Sequence, residues 1–149
     1  MINRYSLADY TMAVDIPGRD TLTFGGPGEN QLGSFIGQIA VSRNAEMWTT
    51  EGDVTGSWVH NKSLNKTGTI SMQIRQISDD VIRLFDIART YENSDSSEIG
   101  ATITISRGTD TVLVGNDCYL TKMPDQVFGD AAEMQTWAWT CGQIKMIAR

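Results

Sequence analysis

Seven residues constrain the fold of this chain more than any others: Thr69-Ile70-Ser71-Met72-Gln73-Ile74-Arg75. The alternation is strict. Ile70, Met72 and Ile74 share one side of an extended chain, and Thr69, Ser71, Gln73 and Arg75 share the other. A helix would scatter these apolar groups around its circumference, so the segment reads as a strand with one face in a core and one in a polar setting. The same period of two recurs. Tyr10, Met12, Val14 and Ile16 alternate with Thr11, Ala13 and Asp15, and Pro17-Gly18 ends that run. Asp20 to Phe24 is a second run, and Ala101, Ile103 and Ile105 alternate with Thr102, Thr104 and Ser106. Trp137, Trp139 and Cys141 alternate with Thr136, Ala138 and Thr140, and Gly142 marks a bulge that moves the apolar side to Ile144 and Met146.

Between these runs, residues 35–43 read as a further strand, with Phe35, Ile39 and Val41 on one face. Residues 44–66 read as two strand pieces joined by turns and followed by a polar loop. Helical spacing occurs once. Val81, Leu84, Phe85, Ala88 and Tyr91 form one stripe, Ser78 is a good N-cap, and Asp79 and Asp80 suit the positive end of the helix dipole. The helix is expected to stop near Glu92, before a polar loop. Arg107-Gly108-Thr109-Asp110 reads as a turn leading to a return strand over 111–114. Gly115-Asn116-Asp117 reads as another turn, followed by a short extended piece from Cys118 to Thr121. Residues 123–129 are irregular, because Pro124 cannot occupy a central strand position.

The count is about eight strands and one helix, in the order strands, helix, strands. That predicts a mainly β (α+β) fold, a sandwich or barrel with one packed helix. A chain of 149 residues without a repeat or linker is expected to form a single domain, 1–149. No apolar run is long enough to span a bilayer as a helix, and the first residues lack an apolar signal core, so neither a membrane anchor nor secretion by a signal peptide is expected.

The net charge of −6 disfavours tight, sequence-reading contact with nucleic acid, which needs clustered Lys and Arg. It suits a wall that lets DNA pass without holding it. The two cysteines, Cys118 and Cys141, form no CxxC pair. They read as buried thiols in a reducing compartment, with a disulfide left open should the fold bring them onto adjacent strands.

No pattern of catalytic residues stands out. The single histidine, His60, rules out a multi-histidine metal site, and no carboxylates have calcium-loop spacing. Gly25-Gly26-Pro27-Gly28 lacks the Lys-Ser/Thr of a phosphate loop. Glu51 and Asp53 flank Gly52 and could serve as acid and base in a cleft, but a solvated turn explains them as well. Trp137 and Trp139 share a strand face, which suits either core packing or a stacking platform for a sugar or base. No catalytic residue, cofactor or metal is therefore expected. What needs explanation is the polar side of the strands. Thr69, Ser71, Gln73, Thr102, Thr104, Ser106, Thr136 and Thr140 are small or uncharged where ordinary solvent faces carry Lys and Glu. Charged guards at strand centres are also missing, which fits strands that pair with neighbouring subunits.

Three segments carry a family resemblance: residues 101–113, residues 122–129 (Lys-Met-Pro-Asp-Gln-Val-Phe-Gly) and residues 137–146, from Trp137 to Met146. Together with the opening from Tyr5 to Ile16, they resemble the tail tube proteins of contractile-tailed bacteriophages. The resemblance implies hexameric rings, built by strands that join into one continuous barrel and stacked into a helical tube within a sheath. It also implies sheath, baseplate and tail terminator proteins as partners, a virion tail assembled in the bacterial host cytoplasm, and transient passage of DNA. Within that picture Glu51, Asp53, Thr69, Ser71 and Gln73 are candidates for the channel lining. Gly25, Gly26, Pro27, Gly28, Glu29 and Asn30 are candidates for contact between rings, as is the stretch 44–66. Two alternatives remain at this point: the tube of a related injection machine, of tailocin or type VI secretion type, and a monomeric β-sandwich that binds carbohydrate through Trp137 and Trp139.

Overall fold

The alternating segments pair into one antiparallel sheet, and in the computed structural model its strands follow the order β2-β1-β7-β8-β9-β6-β3. The structure describes residues 10–18, 21–25, 38–75, 79–93, 100–126, 128–131 and 134–147. The sheet contains β1 (Tyr10–Asp15), β2 (Leu22–Gly25), β3 (Ile39–Arg43), β6 (Gly68–Arg75), β7 (Ala101–Arg107), β8 (Asp110–Leu120) and β9 (Met134–Met146). A separate two-stranded ribbon comprises β4 (Trp48–Gly52) and β5 (Trp58–Lys62), and the helix α1 spans Asp79–Asn93.

One face of the large sheet carries the core, built from Met12, Val14, Phe24, Ile70, Met72, Ile74, Ile103, Trp137, Trp139 and Ile144 among others. Burial of this apolar surface is the main stabilising term. The helix turns Val81, Leu84, Ile87 and Ala88 into the same core. Its Phe85 meets Trp137 edge-on, with ring centroids 5.0 Å apart. Ile87 joins the buried stripe although the sequence pattern did not single it out, because the buried arc is wider than one i, i+3, i+4 row. The sheet curls: residues of β1 and β3, far apart in strand order, line one groove together with Ile105, Val112 and Met146.

Two sequence expectations need correction, and a third falls outside the described residues. Residues 115–117 are not a turn between two short strands; they lie within a continuous β8 of eleven residues. Asp117 has φ of 56°, and buried positions shift there from Leu113 and Gly115 to Cys118. β9 makes the matching shift at Gly142, from Trp137, Trp139 and Cys141 to Ile144. Because both strands change parity together, their register is the same on either side, with Leu113 opposite Met146 and Leu120 opposite Trp139. The glycine and the acidic residue that signal a turn to a sequence reader here serve a paired bulge. Second, Met146 does not continue the buried face and is exposed, since β9 ends there at the sheet's rim. The third, for Phe35, is not among the corrections, since β3 is described from Ile39 and Phe35 lies outside the described residues. Among the described residues no helix is long and apolar enough to cross a membrane.

Candidate assembly surfaces

The face of the sheet turned away from the core is assembled residue by residue from the register. Thr23 lies opposite Ala13, Ala13 opposite Thr104, and Thr104 opposite Val114. On the other half, Thr69 lies opposite Thr140, Ser71 opposite Ala138, and Gln73 opposite Thr136. Thr69, Ser71 and Gln73 are half-buried on this face. Hydroxyls bond across it, as between Thr121 Oγ1 and Thr140 Oγ1 at 2.8 Å. Charged residues that the register places on it include Asp15, Arg75 and Lys145, at or next to strand ends, and Asp117 within β8. The face is therefore polar with little fixed charge, so it can be wetted without gripping phosphate.

The second surface is the β3 edge. No described strand pairs with its outer side. Gln73 N–H donates to the Gln38 carbonyl at 3.2 Å and Asn44 N–H to the Thr67 carbonyl at 3.0 Å. With Ile39 opposite Met72 and Val41 opposite Ile70, these bonds fix the ladder's phase: even-numbered residues bond to β6 and odd-numbered ones point outward. The backbone N–H and C=O groups of Ile39, Val41 and Arg43 thus face away from β6. The Arg43 guanidinium is held by the Ile144 carbonyl at 2.6 Å. β2 forms the opposite edge of the sheet.

The third surface is the β4–β5 ribbon. Every residue of both strands is exposed, including Trp48 at 55% and Trp58 at 68%. An isolated two-stranded ribbon is only marginally stable in water. This one is tied at its tip, where one carboxylate oxygen of Asp53 accepts from the Thr55 hydroxyl at 2.6 Å, the Thr55 N–H at 2.9 Å and the Ser57 N–H at 3.0 Å. Those donors, the Thr55 hydroxyl foremost, hold the Asp53 carboxyl below its usual range. Along the ribbon Thr50 bonds His60 at 2.8 Å, and the Lys62 ammonium lies over the Trp48 ring at 5.9 Å. The ribbon leaves the sheet between β3 and β6, from the end where Arg43 faces Gly68. The helix follows β6, whose last residue, Arg75, is at the other end of that strand.

These placements separate the residues singled out in the sequence. Thr69, Ser71 and Gln73 lie together on the non-core face. Glu51 lies on the ribbon and Asp53 at its tip, both exposed and outside the large sheet. Gly25 ends β2, and Gly26, Pro27, Gly28, Glu29 and Asn30 lie outside the described residues. Trp137 and Trp139 are both 0% exposed, so neither offers a stacking platform. The exposed tryptophan pair is Trp48 and Trp58, which the sequence reading covered only as part of the stretch 44–66, because β4 and β5 are too short and polar to declare a face. Among the described residues no cluster of His, Cys, Asp or Glu could hold a metal ion.

The fold is found in solved assemblies. A tube-complex chain from an extracellular contractile injection system (PVC sheath–tube complex, extended state) superposes with a TM-score of 0.62 at 13% identity, covering 98% of this chain and 93% of that one. A chain of the same system's sheath/tube terminator gives 0.59 at 15% identity, over 97% and 99%. The tube-terminating cap of the anti-feeding prophage gives 0.55 at 12%, over 100% and 95%. At such identities the likeness establishes the fold. No curated protein matches the chain at a significant level. Residues 3–148 match the family model for the bacteriophage PhiTE tail tube protein. Since that match spans nearly the whole sequence, the chain belongs to the bacteriophage PhiTE tail tube protein family.

Proposed function

We propose that the chain, as a single domain, is the repeating unit of a hollow tube: hexameric rings closed by strand pairing between copies, stacked within a contractile sheath, with a channel for DNA. The observation that carries this reading is the β3 edge, whose outward N–H and C=O groups at Ile39, Val41 and Arg43 offer a ladder to a second copy. Ring closure pairs such edges and removes the aggregation hazard of an open one. The hydroxyl-rich face then lines the channel, with Thr69, Ser71 and Gln73 contributing, and Glu51 or Asp53 near a rim. The ribbon, with its exposed Trp48 and Trp58, and the loop from Gly25 to Asn30 are the proposed contacts between rings. Ring-on-ring contact of this kind is heterologous and does not close, so it propagates.

The decisive experiment is negative-stain microscopy of concentrated protein beside the Val41→Pro variant. Val41 does not donate to β6, so proline there removes an outward donor and spares the internal ladder. Wild type should form rings or tubes, and the variant should stay monomeric with unchanged far-UV circular dichroism. Tubes from the variant would remove β3 from the ring contact, and a wild type that stays monomeric at high concentration would end the tube reading.

A second reading keeps the assembly and changes the cargo. The structural neighbours come from injection systems, so the tube could belong to a phage-like injection machine. Capsid genes beside this one would decide for a virion tail, and their absence for the machine.

A further inference from the structure

The chain's two cysteines stand directly opposite each other, Cys118 on β8 and Cys141 on β9. Directly opposed residues in an antiparallel pair have Cα atoms about 4.5–5.5 Å apart, inside the range of about 4.4–6.8 Å that a disulfide spans. Both side chains point into the core, with exposures of 0% and 1%. Their sulfurs converge over Gly115: a Cβ at that position would lie 3.1 Å from Cys141 Sγ and 3.2 Å from Cys118 Sγ. The missing side chain leaves the room in which the two thiols meet.

We infer that Cys118 and Cys141 form an oxidation site that closes to an intramolecular, cross-strand disulfide in the native fold. The Cys141 side chain foremost, and then burial, push the Cys118 thiol up, while the adjacent Cys118 side chain lowers Cys141. The step balances with either sulfur attacking; with Cys141 as the attacking thiolate, Cys118 is the resolving thiol. With a peroxide as oxidant, the Cys141 sulfur attacks one peroxide oxygen and the O–O bond breaks, giving a sulfenic acid and hydroxide. The Cys118 sulfur then attacks the sulfenic sulfur. The S–S bond forms and the S–O bond breaks, and the Cys118 proton leaves with the departing oxygen as water. The hydroxide takes up the proton that Cys141 released. Two thiols are oxidised by two electrons and one hydrogen peroxide is reduced to two waters. The product staples the central strands beside their paired bulge and encloses the irregular connection between β8 and β9. It does so whether or not rings form.

The test treats folded protein with hydrogen peroxide and reads intact mass, thiol titration in denaturant and a peptide map. Both thiols should disappear together, with the loss of two hydrogens and a linked peptide pair that dithiothreitol separates. The thermal midpoint should rise by about 5–10 °C on oxidation. Cys118→Ser should instead leave Cys141 oxidised to the sulfenic or sulfinic level with no gain in midpoint. Oxidation of one thiol alone in the wild type, disulfide-linked dimers, or thiols that stay reduced until the chain unfolds would each overturn the assignment. The wild-type mass decides even if the serine variant folds poorly.

Discussion

Trp137 and Trp139 are buried while Trp48 and Trp58 are exposed, yet all four sit on strands. The difference lies in the neighbours. Trp137 pairs with Met72 and packs on Phe85, whereas Trp48 pairs with Lys62 on a ribbon that has no sheet behind it. Trp137→Ala should cost about 3–5 kcal/mol in denaturant unfolding of the monomer, through lost burial and the cavity left behind. Trp48→Ser should change monomer stability by no more than about 0.5 kcal/mol, while lowering the yield of tubes seen by microscopy. The alternation around Trp137 made its burial legible in the sequence. Trp48 has no such frame, so its exposure was not. Gly68 is a second case. It is buried between β3 and β9, and a Cβ there would overlap the Ser42 carbonyl oxygen and Ile144. Gly68→Ala should destabilise by about 2–3 kcal/mol in the same unfolding assay, because the obstacle is backbone. Its place at the head of the clearest strand hid this role.

At the scale of elements, the ribbon is where stability is local and conditional. Its amides should exchange rapidly in the monomer and slowly in tubes, a contrast measurable by hydrogen exchange. The Asp53 carboxyl titrates below its ordinary value, so the tip's bonds are present above the unfolded-state pKa and are lost as pH falls through the lower folded value. Cross-strand contacts near Thr55 and Ser57, followed by NMR, should therefore survive at neutral pH and fade only below the usual carboxylate range. Asp53→Ala should lose them at every pH. Elements with strict period-two patterns, such as β1, β6 and β7, were readable within a residue or two. β8 was not, because Gly115, Asn116 and Asp117 have turn chemistry. Only the partner strand, with its own shift at Gly142, turns that chemistry into a bulge. The ribbon's two strand pieces were legible, but its independence from the sheet was not, since pairing partners are not written in local sequence.

For the whole molecule, charge and edges act against each other. Each copy carries a net charge of −6, so bringing copies together costs repulsion that salt screens over a Debye length of about 10 Å at 0.1 M. If rings form as proposed, tube growth followed by light scattering should speed up between low salt and about 0.15 M. A flat or opposite salt response would point to opposite-charge contacts as the dominant link. The mainly β class with one helix was legible because the alternating runs outnumber the single helical stripe. The curl of the sheet and the phase of its edge ladder were not, because they arise from pairing across the full length of the chain.

The odd-numbered row on β3 gives each subunit a direction. Its described sheet has two different ends, one at β2 and one at β3, so copies joined β3 to β2, as the proposed rings require, all point the same way round. A circle of such copies uses up every free end and becomes inert to widening. If rings close as proposed, added material has nowhere to go but along the axis, and a tube of fixed bore and open length follows from those two edges.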